Sequence, residues 1–174
     1  MKKAFTLMEV NLAIMVMATG LLAIVSLYSF GYRENRQSRD DVASTVYADA
    51  VISPLVMALS ATNLKWSVFR SIQSYPSDNG WGDYIDSQGR VKGDPEAKAI
   101  SAFNAVMSKV GSTAKVATGW PSTAAGNLKA GLVIIHDEDS PIVSICFRAC
   151  KRGSELLSMP AFYTDVRFQG DPDK

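Results

Sequence analysis

The sequence has few of the residues that chemistry usually needs. Its 174 residues include one histidine and two cysteines. Two cysteines exclude a disulfide-rich scaffold and a four-cysteine zinc site. No glycine-rich phosphate loop, serine elbow or metal-ligand cluster is present as a motif. An excess of charge of one sign is also missing. Eighteen Lys and Arg stand against 17 Asp and Glu, a formal net charge of +1. The balance gives no global steer toward nucleic acid or acidic substrates. Disorder is excluded by a hydrophobic content of 47%. The length suits one domain of ordinary size, and there is no internal repeat.

The most informative absence is local. From Val10 to Tyr32 there is no charged residue, a run of 23 positions of which 17 are apolar. The exceptions are Asn11, Thr19, Gly20, Ser26, Ser29 and Gly31. As a helix the run measures about 35 Å, enough to span a hydrocarbon core of about 30 Å. It contains no proline, so one continuous helix is allowed. A cleaved secretory signal has a shorter apolar core, about 7–15 residues, followed by a small-x-small site. This run is longer and has no convincing site of that kind after it. A plain membrane anchor is compatible with the run but gives Glu9 no task. A carboxylate at the edge of an apolar helix costs free energy in a bilayer, offset in part by headgroup contact and the helix dipole.

What precedes the run carries more information. Lys2-Lys3-Ala4, then Phe5-Thr6-Leu7-Met8-Glu9-Val10, then the apolar run, resembles the class III signal of type IV pilins and type II secretion pseudopilins. The resemblance covers about thirty residues at the start of the chain. Ala4 stands where the family usually has Gly, and the family's frequent mid-helix proline is missing. The resemblance implies cleavage between Ala4 and Phe5 by a prepilin peptidase that also methylates the Phe5 amine. It implies an assembly role for Glu9, paired with the Phe5 amine of a neighbouring subunit. A matched buried pair is penalised far less than a lone buried charge. The implied organisation is a leader at 1–4, a transmembrane and filament-core helix at 5–32, and an extracytoplasmic domain at 33–174. The implied partners are the prepilin peptidase, other pilin or pseudopilin subunits and an inner-membrane assembly platform. The subunit is expected in the inner membrane before assembly and in a periplasmic or cell-surface filament afterwards. Lys2 and Lys3 favour a cytoplasmic N-terminus, whereas Arg33, Arg36 and Arg39 oppose it. The resemblance, not the charge rule, therefore sets the orientation. An anchored binding module with an unrelated external domain is the alternative, and neither reading is an enzyme.

Beyond Tyr32 the pattern predicts a helix continuing to Asn63, with a stripe of Val42, Val46, Ala50 and Leu55. Pro54 is expected to kink or end it near Ile52-Ser53. A short helix is expected over Lys65–Gln73, loop over Pro76–Trp81, and two short strands at Tyr84–Asp86 and Arg90–Lys92. Asp94 as N-cap and Pro95 at the first position open a further helix that Gly111 should stop. A Thr-, Ser-, Ala- and Gly-rich surface loop follows to Gly131, pinned by Trp120. Strands are expected at 131–136, 141–148 and 161–168, the first two as an antiparallel hairpin. The fold class is α+β: a long N-terminal hydrophobic helix packed on a C-terminal antiparallel sheet. It agrees with the pilin resemblance.

Three further sites stand out. His136 lies beside Asp137, Glu138 and Asp139. Carboxylates bind calcium, and some pseudopilins carry calcium in loops near the sheet. The spacing here matches no dedicated calcium loop, so a solvated hairpin turn and no cofactor are expected. Cys146 and Cys150 form the pair that the resemblance would bridge, in an oxidising compartment. Four residues of extended strand separate Cα atoms by about 13 Å, against about 5.5 Å in a disulfide. A bridge thus requires a turn or bulge at Arg148-Ala149, and separate thiols are the alternative. Arg148, Lys151 and Arg152 form a basic cluster without the interleaved aromatics of a nucleic-acid surface. They are expected on a solvated turn, with no nucleic-acid partner.

Overall fold

The computed structural model describes residues 6–76, 80–88, 91–116, 119–121, 128–151 and 156–170. Ala4 and Phe5, the expected cleavage pair, lie outside them, as do Arg152 and much of the expected 116–131 loop. The chain forms two compact units, Met1–Asp41 and Val42–Lys174.

Helix α1 (Leu7–Leu59) supplies the described part of the first unit beyond Thr6 and the opening of the second. Within the first unit its large apolar side chains, from Leu7 to Tyr32, are all exposed. Within the second unit the buried face of α1 is Tyr47, Ala48, Val51, Leu55, Ala58 and Leu59. The expected stripe is therefore corrected. Leu55 belongs to it, but Val42 and Val46 are 60% and 59% exposed and sit on the opposite side. Pro54 neither ends nor interrupts α1. Burial of Leu55, Ala58 and Leu59 beyond it outweighs the one backbone bond a proline removes.

Helix α2 (Trp66–Arg70) is a single short turn-and-a-half, and a cis peptide at Tyr75-Pro76 follows. The next expected hairpin is reduced to one isolated bridge, Ile85 with Val91, beside a 3-10 turn at Gly80–Tyr84. Helix α3 (Pro95–Ala114) begins as the sequence dictates, with the Asp94 carboxylate accepting from the Glu96 amide at 3.0 Å. Gly111 does not stop it. It is buried inside the last turns, and Lys115, left-handed at φ 57°, closes the helix by donating its amide to the Gly111 carbonyl.

Three strands make one sheet in the order β1 (Leu128–His136), β2 (Ile142–Lys151), β3 (Phe162–Arg167), antiparallel throughout. His136 opposes Val143 at one end of the hairpin, and Leu128 opposes Lys151 at the other. β3 continues the ladder from Ile142 opposite Arg167 to Phe147 opposite Phe162. Alternation places Leu132, Ile134, Val143, Ile145, Phe147 and Val166 on one face. There they meet the buried faces of α1 and α3, and Tyr47 packs edge-on against Phe147 at 5.5 Å. The second unit is thus an α+β arrangement with α1 packed on the sheet. Trp120, within the described residues 119–121, packs on this core. Its indole N–H donates to the Tyr47 hydroxyl at 3.0 Å, and its ring meets Phe103 edge-on at 5.4 Å.

The other face carries a smaller cluster of Tyr84, Val133 and Leu156 with Trp81 and Cys146. The free edge of β1 is closed residue by residue. The Tyr84 hydroxyl donates to the Leu132 carbonyl at 2.7 Å and accepts from its amide at 3.1 Å. Tyr75 exchanges both backbone bonds with Ile134. Ser74 Oγ donates to the His136 carbonyl and accepts from its amide. Exposed edges invite pairing with other chains, and here two side-chain hydroxyls and one backbone segment occupy the alternate positions.

Candidate functional site

The first candidate is the N-terminal part of α1. Its 53-residue helix is long and apolar enough to cross a membrane, and the most apolar window has no buried residue. Its polar side chains are turned back on the helix. Thr19 Oγ1 donates to the Met15 carbonyl at 3.0 Å, Ser26 to Leu22 at 2.8 Å and Ser29 to Ser26 at 2.8 Å. Such bonds remove hydroxyls from competition with a surrounding apolar phase.

Glu9 occupies the third helical position, with Thr6 as N-cap. Thr6 donates to Glu9 Oε2 through its amide at 2.9 Å and its hydroxyl at 3.0 Å. The Glu9 amide donates to Thr6 Oγ1 at 3.4 Å. This is a capping box, the reciprocal use of two otherwise orphaned donors at a helix start. Its Thr-x-x-Glu signature is legible in the sequence itself, beside the assembly role that the pilin resemblance implies for Glu9. Glu9 therefore has a local partner, with Oε2 engaged.

The second candidate is the turn after β1. His136 is not in a solvated turn: it is 8% exposed, its ring edge-on to Phe69 at 5.1 Å. Its Nδ1 lies 2.8 Å from the Ile72 carbonyl and its Nε2 3.0 Å from the Ser140 carbonyl. Asp139 pairs with Arg70 of α2 at 2.9 Å. No group of three or more His, Cys, Asp or Glu stands close enough to hold a metal among the described residues.

The third is the cysteine pair. Cys146 and Cys150 both lie in β2, and the ladder passes through them unbroken, with Arg148 opposite Gly131 and Ala149 opposite Ala130. The turn that a bridge requires does not form, and Cys146 is a free thiol. The expected disulfide is corrected on that ground: strand spacing holds the two Cα atoms about 13 Å apart.

Arg148, expected on a solvated turn, instead lies over Trp81, its guanidinium 5.0 Å from the ring centroid, and donates to the Leu157 carbonyl. Its charge is committed to the fold. On the same face Asp165 Oδ1 accepts from Ser144 and Tyr163, each at 2.6 Å, and these bonds hold its carboxyl below the usual range. A hollow of about 280 Å³ between Tyr75, Asp83, Lys92, Lys98 and Ser101 is open to solvent. The Lys98 ammonium is already used on the Asp83 carbonyl and the Tyr84 ring.

No protein-family model, curated protein or solved structure matches the chain.

Proposed function

We propose that the chain is a structural subunit, a minor pilin or pseudopilin, of a type IV pilus or type II secretion-like filament. One observation carries the reading. A single helix is largely apolar and exposed over residues 7–32 yet, from Tyr47, buries one face in the core of an α+β unit. A helix that is hydrophobic all round needs lipid or other helices as surroundings, and a filament core provides the second after the membrane has provided the first. The Phe5-Thr6-Leu7-Met8-Glu9-Val10 segment supports it at the motif level. In this reading a prepilin peptidase removes Met1–Ala4 and methylates Phe5. Side-by-side helix packing then drives assembly, with Glu9 accepting the Phe5 amine of a neighbour.

The test is the N-terminal mass of the protein recovered from cells that contain an active prepilin peptidase. Loss of Met1–Ala4 with one added methyl is the expected result. Retention of those residues removes the reading.

The capping box favours a second reading, a single-span anchor for an external binding domain, because it gives Glu9 a task without any filament. Glu9→Ala separates the two. A filament subunit keeps membrane insertion and loses assembly, whereas an anchored module loses only a fraction of a kcal/mol to about 2 kcal/mol of helix-end stability.

A further inference from the structure

We propose that His136 is a proton-operated clasp: with a proton on each ring nitrogen it ties the Ile72 carbonyl to the Ser140 carbonyl, and loss of one proton frees the turn between β1 and β2. Both neighbours of the ring are carbonyl oxygens, at 2.8 and 3.0 Å. A carbonyl only accepts. A neutral imidazole has one donor nitrogen and one acceptor nitrogen, whereas the imidazolium donates from both. The neutral ring therefore satisfies one carbonyl and turns a lone pair toward the other. At 8% exposure, little water reaches the ring to relieve that opposition.

The two sides differ in how firmly they are held. Ile72 is buried, and the segment after it is fixed to β1 by the Ser74 hydroxyl on both backbone groups of His136 and by the double Tyr75–Ile134 bridge. Ser140 sits at the end of the turn, held by its amide on the Asp137 carbonyl and by its hydroxyl accepting from Ile142. The turn is the side that yields. Asp137, Glu138 and Asp139 follow His136 on the turn, and Arg70 on α2 and Lys109 on α3 are charged residues tied to that turn and to the segment before Ile72. Arg70 is bound to Asp139, and the Lys109 ammonium rests on the Ser71 carbonyl. Across the strand the register partner is the apolar Val143.

The sequence contains one histidine, so ring resonances of the isotope-labelled full chain in detergent micelles belong to His136 without assignment. The experiment follows both ring nitrogens and the backbone amides of residues 137–142 between about pH 5 and 8, where an imidazole changes charge. At the acid end both ring nitrogens are expected to carry slowly exchanging protons. As the ring loses one, exchange of the Ser140 and Ile142 amides, corrected for its intrinsic pH dependence, should rise about tenfold or more, the equivalent of one charge-assisted hydrogen bond. The rise should share the ring's midpoint and vanish in His136→Gln. A single ring N–H at the acid end, or turn exchange that stays flat while the ring titrates, overturns the proposal in the unsubstituted chain alone.

Discussion

At the scale of single residues, Gly131 shows how closely the outer face of the sheet is filled. A Cβ at this position would stand 2.8 Å from Trp81 Cζ3 and 2.9 Å from Leu156 Cδ2, below van der Waals contact. The Arg148 guanidinium lies over the same Trp81 ring, which is thereby engaged on the sheet. Gly131→Ala should destabilise the second unit by about 1–3 kcal/mol, the usual cost of overpacking. Urea unfolding followed by tryptophan fluorescence would measure it, and an unchanged midpoint would show that Trp81 moves freely. In the sequence Gly131 reads only as the junction of a loop and a strand, because nothing local announces that a tryptophan fifty positions earlier will cover it. Cys146 and Cys150 make the opposite case. Strand spacing already argued against their bridge, and the unbroken β1–β2 register decides it. Glu9 is intermediate, since its partner Thr6 is three residues away and the capping box could be read from the chain itself.

At the scale of elements, the helices persist past the signals that should end them. Pro54 leaves the Ala50 carbonyl without its usual intrahelical donor, yet α1 continues to Leu59. The residues around and beyond the proline are in the core, and burial of a leucine side chain is worth about 1.5–3 kcal/mol. Pro54→Ala should therefore stabilise the second unit, on the order of 1–3 kcal/mol, by restoring the bond and relieving the ring. Thermal melting of the full chain in detergent would show the higher midpoint, and a lower one would mean that the ring's own packing outweighs the lost bond. Gly111 is passed for a related reason. It is buried within α3, and the left-handed turn falls on Lys115 instead. Local propensity places the start of α3 correctly because the Asp94-Pro95 cap is a local interaction. Where an element ends depends on what it packs against.

At the scale of the whole molecule, two buried phenols tie the second unit together and set its behaviour in alkali. Burial pushes Tyr47 up to about 12, with the Trp120 hydrogen bond opposing and Glu96 adding to the rise. Burial likewise pushes Tyr84 up to about 12, opposed by its bond to Leu132. A group raised in the fold contributes stability fully below its unfolded value, about 10 for tyrosine, and loses it as pH rises through the folded value. Stability should thus be insensitive to these phenols at neutral pH and fall between about pH 10 and 12. Phenolate absorbance and near-ultraviolet dichroism should change together there, and Tyr47→Phe should remove part of the late absorbance. Phenolate appearing well below that window, with the fold intact, would contradict the burial. The sequence by itself determined the apolar helix, the cap of α3, the three strands and the α+β class. Each of these follows from periodicity, composition or contacts a few residues apart. Only the tertiary structure decided which face of α1 is buried, that Pro54 and Gly111 are tolerated, and that His136 and Arg148 are drawn into packed surroundings. It also decided that Tyr84, Tyr75 and Ser74 close the free edge of β1. These outcomes turn on partners distant in the chain, whose combined burial exceeds the local preferences of about 1 kcal/mol that a sequence displays.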